Sequence, residues 1–170
     1  MKILETERTI LRDVTKDDAE FILDLLNQPS FIRYIGDRNV RTIDEARDYI
    51  ESRFTESYQK FGFGMWAVEL KETETPIGIC GFVKRDSLPD ADIGFAFLPQ
   101  FEKNGYAFES AVAALEYGRD VLQLNRVLAI TSKDNESSGR LLGKLDFKFK
   151  RLIVLPGGGD ELKLFSYPAS

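Results

Sequence analysis

The chain has 170 residues, of which 43% are hydrophobic and 30% charged, and it carries a formal net charge of −5 with a pI near 4.9. This size and composition predict one globular domain over residues 1–170, and no apolar run reaches the roughly 20 residues that span a bilayer. The acidity disfavours nucleic acid and membranes as partners, and the absence of histidine excludes Ser-His-Asp catalysis and histidine-ligated zinc.

The first third of the chain predicts a strand and two helices. Residues 1–7 carry acids and lack the apolar core of a signal peptide, which favours a cytoplasmic protein. Residues 8–14 alternate as a strand does, and Thr15 begins a helix that should end before Pro29. A second helix is predicted from Thr42, where Thr-Ile-Asp-Glu has the form of a capping box.

The rest of the chain alternates between short apolar runs and helical patterns. Three consecutive strands are predicted at residues 65–70, 77–83 and 93–98, as an antiparallel meander. A long helix follows from about Phe108 to Leu122, then a strand at 126–131 and a helix that carries Leu141, Leu142 and Leu145. Strands at 147–154 and 161–167 flank the hairpin signal Pro-Gly-Gly-Gly-Asp. The alternation of strands and helices predicts the class α/β (α+β).

The turn after the third strand of the meander is a candidate anion site. Pro99 ends the strand, and a helix start leaves unpaired amide groups and a partial positive charge that suit a phosphate. Gly105 allows the backbone to approach closely there or to adopt a positive φ. The alternative is an ordinary strand-to-helix turn in which the glycine serves only packing.

The order of strand, anion-binding turn, helix, strand and Asn-x-x-Ser helix resembles the GNAT acetyltransferase superfamily. The segment from Asn135 to Phe147 carries this resemblance, and residues 4–12 and 124–127 resemble its RimJ/RimL-like branch of ribosomal-protein N-terminal acetyltransferases. The resemblance implies a GNAT-like acyl-CoA N-acyltransferase fold, with a mixed central sheet of about seven strands flanked by about four helices. It also implies acetyl-CoA as co-substrate and no metal.

The same resemblance implies the residues that bind the co-substrate. Gln100 and Gly105 match the family turn, whereas Lys103 stands where a first glycine is usual and offers an ammonium group. The pantetheine arm is expected along the strand edge, and the phosphates at the turn, on these residues: Phe95, Ala96, Phe97, Gln100, Lys103, Asn104, Gly105, Tyr106 and Ala107.

Three more positions in the later segment are implied in the same way. Asn135 is expected at the pantetheine or acetyl end, Ser138 near the thioester sulfur, and Lys144 toward the adenosine and its phosphates. Their alternatives are a helix N-cap, a helix hydroxyl and a solvated charge. Asp146 stands where a glycine is common, and this is the second departure from the family pattern.

The candidate catalytic residues are a serine and two carboxylates. Leu142 occupies the position at which many GNAT members have a tyrosine acid. The RimL-like alternative is a serine, so the resemblance implies Ser138 as the proton donor to the thiolate. Asp92 is the first candidate base, Glu69 the second, and a water the third; both acids could equally be strand-edge surface groups. Cys80 has no histidine to ionise it and is expected to be a buried structural thiol.

The favoured acceptor is a protein or peptide N-terminal amine. Its pKa of about 7.7–8.0, against about 10.4 for lysine, suits a lightly assisted transfer. The alternatives are a small amine (polyamine, amino acid or antibiotic) and a non-catalytic CoA-binding module, in a monomer or a homodimer. Five aromatic residues could line the acceptor cleft or belong to the core: Phe31, Tyr34, Phe61, Phe63 and Trp66.

Overall fold

A computed structural model describes residues 1–168 and contains one mixed sheet of eight strands. The strands are β1 (Lys2–Glu5), β2 (Thr9–Asp13), β3 (Met65–Leu70), β4 (Pro76–Val83), β5 (Asp92–Phe97), β6 (Val127–Ser132), β7 (Lys148–Ile153) and β8 (Leu162–Tyr167). Their order is β1-β2-β3-β4-β5-β6-β8-β7, and only the β5–β6 pair is parallel. The predicted α/β fold is confirmed, with β1 as the strand that the sequence did not indicate.

Six α-helices accompany the sheet: α1 (Ala19–Leu26), α2 (Pro29–Tyr34), α3 (Ile43–Ile50), α4 (Glu56–Phe61), α5 (Tyr106–Asp120) and α6 (Glu136–Lys144). Pro29 does more than end α1, because it is the first residue of α2, where a missing amide hydrogen costs nothing. A π-helical turn, Glu51–Thr55, joins α3 to α4. Among the helices of residues 1–168, none has both the length and the apolar character that crossing a membrane requires.

The helices cover opposite faces of the sheet. Because side chains alternate along a strand, Trp66 and Val68 of β3 point to one face and Ala67 to the other. The first face packs against α5 and α6, and the second against α1 to α4, with Ile22, Leu25, Ile50 and Phe54 at its centre. Helices α5 and α6 therefore lie on the face of the sheet opposite α1.

Strands β5 and β6 separate soon after they meet. They pair only at Asp92 and Leu128 within the described strands, where the Leu128 amide donates to the Ala91 carbonyl at 2.9 Å. Beyond that point β5 keeps its hydrogen bonds to β4 but has no partner on its other side. The result is a wedge-shaped opening in the middle of the sheet.

Candidate active site

A cleft of about 850 Å³ lies at the opening between β5 and β6. Its walls come from β5, the start of α5, α6, the helices α2 to α4 and the loop between β4 and β5. Eleven of the residues predicted for binding or catalysis line it: Asp92, Phe95, Ala96, Phe97, Lys103, Gly105, Tyr106, Ala107, Asn135, Ser138 and Lys144. The fold thus brings together residues that lie more than 50 positions apart.

Three predicted residues lie outside the lining of this cleft. Gln100 is exposed within the short 3-10 turn Pro99–Phe101, and the Asn104 side chain donates to the Glu102 carbonyl at 3.1 Å. Glu69 lies on β3, where its carboxylate accepts from Arg12 Nε at 2.9 Å. Since Arg12 also binds Asp18 at 2.8 Å, Glu69 belongs to a structural ion-pair cluster.

The free edge of β5 presents main-chain groups to the cleft. The Leu98 amide donates to the Ile77 carbonyl at 2.9 Å, which fixes the hydrogen-bonding phase of β4 and β5. Because this phase alternates, Phe95 and Phe97 direct their N–H and C=O groups away from β4, into the opening. An extended amide-containing chain can bind there as an additional strand would.

The turn between β5 and α5 exposes a run of amide groups. Gly105 is the N-cap of α5 with φ +82°, and Lys103 also adopts a left-handed conformation, with φ +65°. In residues 1–168 no backbone or side-chain acceptor binds the amides of residues 103–107. These groups and the positive end of a 15-residue helix form a site for an anion.

The turn is fastened to the N-terminal hairpin. Glu109, in the first turn of α5, binds the Thr6 hydroxyl, and it accepts from the Arg8 amide at 2.9 Å and from Arg8 Nε at 2.8 Å. The Arg8 guanidinium also stacks on the Tyr106 ring, 4.3 Å from its centroid. Sequence patterns could not show these contacts, because the partners are about 100 residues apart.

The N-cap contact of α6 uses only some of the polar atoms of Asn135 and Ser138. Asn135 Oδ1 accepts from the Ser138 amide at 3.2 Å, so Asn135 is the N-cap of α6. This contact leaves the Asn135 Nδ2 group and the Ser138 hydroxyl available to the cleft that both residues line. Lys144 is exposed in the last turn of the helix.

Asp92 is the buried carboxylate of the cleft. Its side chain is 3% exposed, and its Oδ2 accepts from Arg85 Nε at 3.0 Å. Burial raises the pKa of Asp92 to about 6, and the neighbouring Arg85 opposes part of that rise. A carboxylate with this pKa is ionised at neutral pH and can still accept a proton, as a general base requires.

The cysteine and the aromatic candidates divide between the core and the cleft, and one further residue joins the cleft lining. Cys80 is buried, and burial raises the pKa of its thiol to about 12, so it is a packing residue. Trp66 and Phe63 belong to the core, whereas Phe31, Tyr34 and Phe61 line the cleft. Thr131, which the sequence did not single out, also lines it, and its buried hydroxyl has no hydrogen-bond partner in residues 1–168.

No group of three or more His, Cys, Asp or Glu side chains in residues 1–168 is placed to hold a metal ion. The cleft therefore offers amides, hydroxyls, one buried carboxylate and several cations. Such groups can bind an anionic co-substrate and assist proton transfer.

Comparison with known proteins agrees with this geometry. Residues 8–148 match the family model of the acetyltransferase (GNAT) domain. The chain is 36% identical over 147 residues to the uncharacterized N-acetyltransferase YoaA of Bacillus subtilis, covering 86% of this chain and 82% of that protein. It is 28% identical over 106 residues to the ribosomal protein uS5-alanine N-acetyltransferase of Escherichia coli, covering 61% and 53%.

The fold also matches solved acetyltransferase structures. One is RimL, a ribosomal L7/L12 alpha-N-protein acetyltransferase in complex with coenzyme A, with a TM-score of 0.78, 15% identity and full coverage of both chains. At this identity the likeness concerns the fold alone.

Proposed function

Because the chain belongs to the GNAT acetyltransferase family, we propose that it transfers an acetyl group from acetyl-CoA to the N-terminal amine of a protein or peptide. The observation that carries the proposal is the opening between β5 and β6, with a free strand edge, an amide-lined turn and a buried carboxylate on one cleft. The sequence relative from Escherichia coli that is named as a ribosomal protein uS5-alanine N-acetyltransferase supports the choice of acceptor.

The cleft fits acetyl-CoA along its length. The free edge of β5 would hold the pantetheine amides, the amides of residues 103–107 the pyrophosphate, and Lys103 and Lys144 further phosphate charge. Asn135 Nδ2 would bind near the acetyl end. These residues fit the group, because they supply main-chain pairing at one end and positive charge at the other.

The two residues that depart from the family pattern adopt the left-handed backbone conformation that a glycine would favour. Lys103 and Asp146 stand where glycine is common, and both adopt left-handed conformations, with φ +65° and +68°. At the end of α6 the Phe147 amide donates to Leu142 and the Asp146 amide to Gly143, as in a Schellman motif. The turn geometry is thus retained, so these two departures leave the proposed CoA site intact; catalysis distinguishes an enzyme from the alternative of a non-catalytic CoA-binding module.

The reaction would proceed by direct attack. Asp92 would accept a proton from the acceptor ammonium, directly or through one water, and the neutral amine nitrogen would then bond to the carbonyl carbon of the thioester. The C–S bond breaks as the C–N bond forms, and the nitrogen loses its second proton to water. Ser138 would donate a proton to the departing thiolate and recover one from solvent, and a thiol pKa of about 8.5 makes this weak assistance sufficient.

An acceptor screen tests the proposal. Release of free coenzyme A thiol should be measured with peptides bearing a free N-terminus, with spermidine and with aminoglycosides, each in the presence of acetyl-CoA. We expect turnover with peptides, and mass spectrometry should place the acetyl group on the α-amine. Turnover of spermidine or an aminoglycoside alone would assign a small-molecule acceptor, and silence across the panel would overturn acetyl transfer altogether.

The catalytic role of Ser138 can be tested separately from any contribution to acetyl-CoA binding. Ser138→Ala should lower kcat by about tenfold or more, because the thiolate loses its proton donor, and should leave the Kd of acetyl-CoA nearly unchanged. Steady-state kinetics and calorimetric titration would measure the two quantities. Ser137→Ala is the matched control on the same helix turn. Equal kcat values for the two variants would remove the catalytic role of Ser138.

A further inference from the structure

The cleft is positively charged although the chain as a whole is acidic. Eight cationic side chains line it: Arg38, Arg53, Lys60, Lys84, Arg85, Lys103, Arg140 and Lys144. Three acidic side chains line it: Glu56, Asp92 and Glu102. With a net charge of −5 overall, this concentration of positive charge is local to the cleft.

Five of the eight cations lie away from the predicted phosphate site. Arg38 follows α2, Arg53 lies in the π-helical turn and Lys60 in α4. Strand β3 begins just after α4. Met65 of β3 pairs with Gly81 of β4, which in turn pairs with Gly94 of β5, so the end of α4 lies beside the first half of β5. That half contains Asp92. The end of α4 therefore lies near Asp92, the proposed base, and so on the proposed acceptor side of the cleft.

The loop between β4 and β5 adds two cations to the same end. Lys84 and Arg85 follow Val83, which is paired with Asp92 in the sheet. Lys84 Nζ donates to the carbonyls of Arg85 and Leu88, both at 2.9 Å, which fixes the ammonium without neutralising it. Arg85 alone is paired, with Asp92.

The other four of these five cations have no carboxylate partner. No ion pair within residues 1–168 contains Arg38, Arg53, Lys60 or Lys84. Arg53 lies 5.8 Å from the centroid of the Tyr49 ring, and Lys60 lies 5.2 Å from that of Phe61. Four cations of the cleft lining therefore have no carboxylate within ion-pair distance.

We propose, on the basis of the proposed function, that the acceptor is a peptide N-terminus followed closely by acidic residues. Uncompensated cations attract carboxylates and repel a polyamine. They also lower the pKa of a nearby ammonium group, which increases the fraction of neutral, reactive amine. Because the four charges come from four different elements of the fold, they match several carboxylates on an extended chain better than the single carboxylate of an amino acid.

Three peptides of equal length test this inference. They share an N-terminal serine and differ at the next positions, which are Asp/Glu, Asn/Gln or Lys/Arg. We expect kcat/KM to be at least about tenfold higher for the acidic peptide than for the basic one at low salt, and the ratio should shrink as salt rises, since exposed charges are screened.

A charge-removal variant shows whether these cations are responsible. Arg53→Gln combined with Lys60→Gln should reduce the acidic-to-basic ratio several-fold. Arg47→Gln is the matched control, because Arg47 lies on the exposed part of the preceding helix and outside the cleft. The control should retain the ratio of the original protein, and loss of the ratio in both variants would assign it to overall charge and overturn the inference.

The outcomes also separate this inference from the function on which it rests. Acetylation of all three peptides at equal kcat/KM, or preference for the basic one, would overturn the acidic acceptor and leave N-terminal acetyl transfer in place. Turnover of free glutamate or aspartate without turnover of any peptide would overturn both statements.

Discussion

Replacement of Asp92 by asparagine is expected to lower kcat by about 10²- to 10⁴-fold, the usual contribution of a general base. Asparagine keeps the size of the side chain and can still accept a hydrogen bond from Arg85, but it cannot take a proton from the acceptor amine. The cleft and its acetyl-CoA contacts should remain, so the Kd of acetyl-CoA should change little. Steady-state kinetics with the best peptide acceptor would measure the loss.

The pH dependence of kcat/KM identifies the group that acts as general base. With the pKa of Asp92 raised to about 6, the ionised base is depleted below that pH, so kcat/KM should rise as pH increases through about 6. This acid limb should disappear from the residual activity of Asp92→Asn. Glu69→Gln provides the comparison, since Glu69 lies outside the cleft and binds Arg12. An acid limb that survives in Asp92→Asn but vanishes in Glu69→Gln would transfer the role of base to Glu69.

The same carboxylate makes stability depend on pH. Because the folded-state pKa of Asp92 lies above the ordinary aspartate value of 3.8, the folded state binds the proton more tightly than the unfolded state. The free energy of unfolding should therefore fall as pH rises from well below 4 to well above 6, by about 3 kcal/mol in total. Urea unfolding of Asp92→Asn at the two ends of this range should lack that decrease.

The regular elements could be predicted from the sequence because each one is specified locally. The meander at 65–98 and the two later helices show their own periodicity, and Thr42 caps its helix as expected, accepting from the Glu45 amide at 3.1 Å. The helix α2 was missed, because a six-residue helix that begins at Pro29 resembles a helix stop in sequence. The strand β1 was not predicted, because its four residues are too few to show an alternating pattern.

The properties of the cleft depended on contacts that no local pattern records. The burial of Asp92 and its pairing with Arg85 follow from the packing of the sheet, and so does the isolation of Glu69 in an ion-pair cluster. Likewise, the positively charged lining of the cleft combines Arg38, Arg53 and Lys84 from separate segments of an acidic chain. Residue types near a motif could suggest candidates, but only the fold could choose among them.

Substitution of Gly105 by alanine should weaken acetyl-CoA binding by about 10- to 100-fold, because hydrogen bonds to a charged group contribute about 1.5–3 kcal/mol each. The added methyl group would lie 3.3 Å from Arg8 Nη2 at a residue with φ +82°. It would disturb the guanidinium that stacks on Tyr106 and shift the amides of the turn. Calorimetric titration with acetyl-CoA would give the change in Kd.

Backbone strain alone must be separated from the loss of the phosphate site, and Gly62 provides the control. Its conformation, φ +77° and ψ 6°, nearly equals that of Gly105, with φ +82° and ψ 1°, but it lies outside the cleft and an added methyl group would meet no atom within 4 Å. Both alanine variants should therefore lose about 1–2 kcal/mol of stability to the left-handed conformation. Only Gly105→Ala should also lose affinity for acetyl-CoA and the increase in Tm that the ligand gives. If Gly62→Ala weakened acetyl-CoA binding as much, the effect would come from general destabilisation, and the turn at Gly105 would not be the phosphate site.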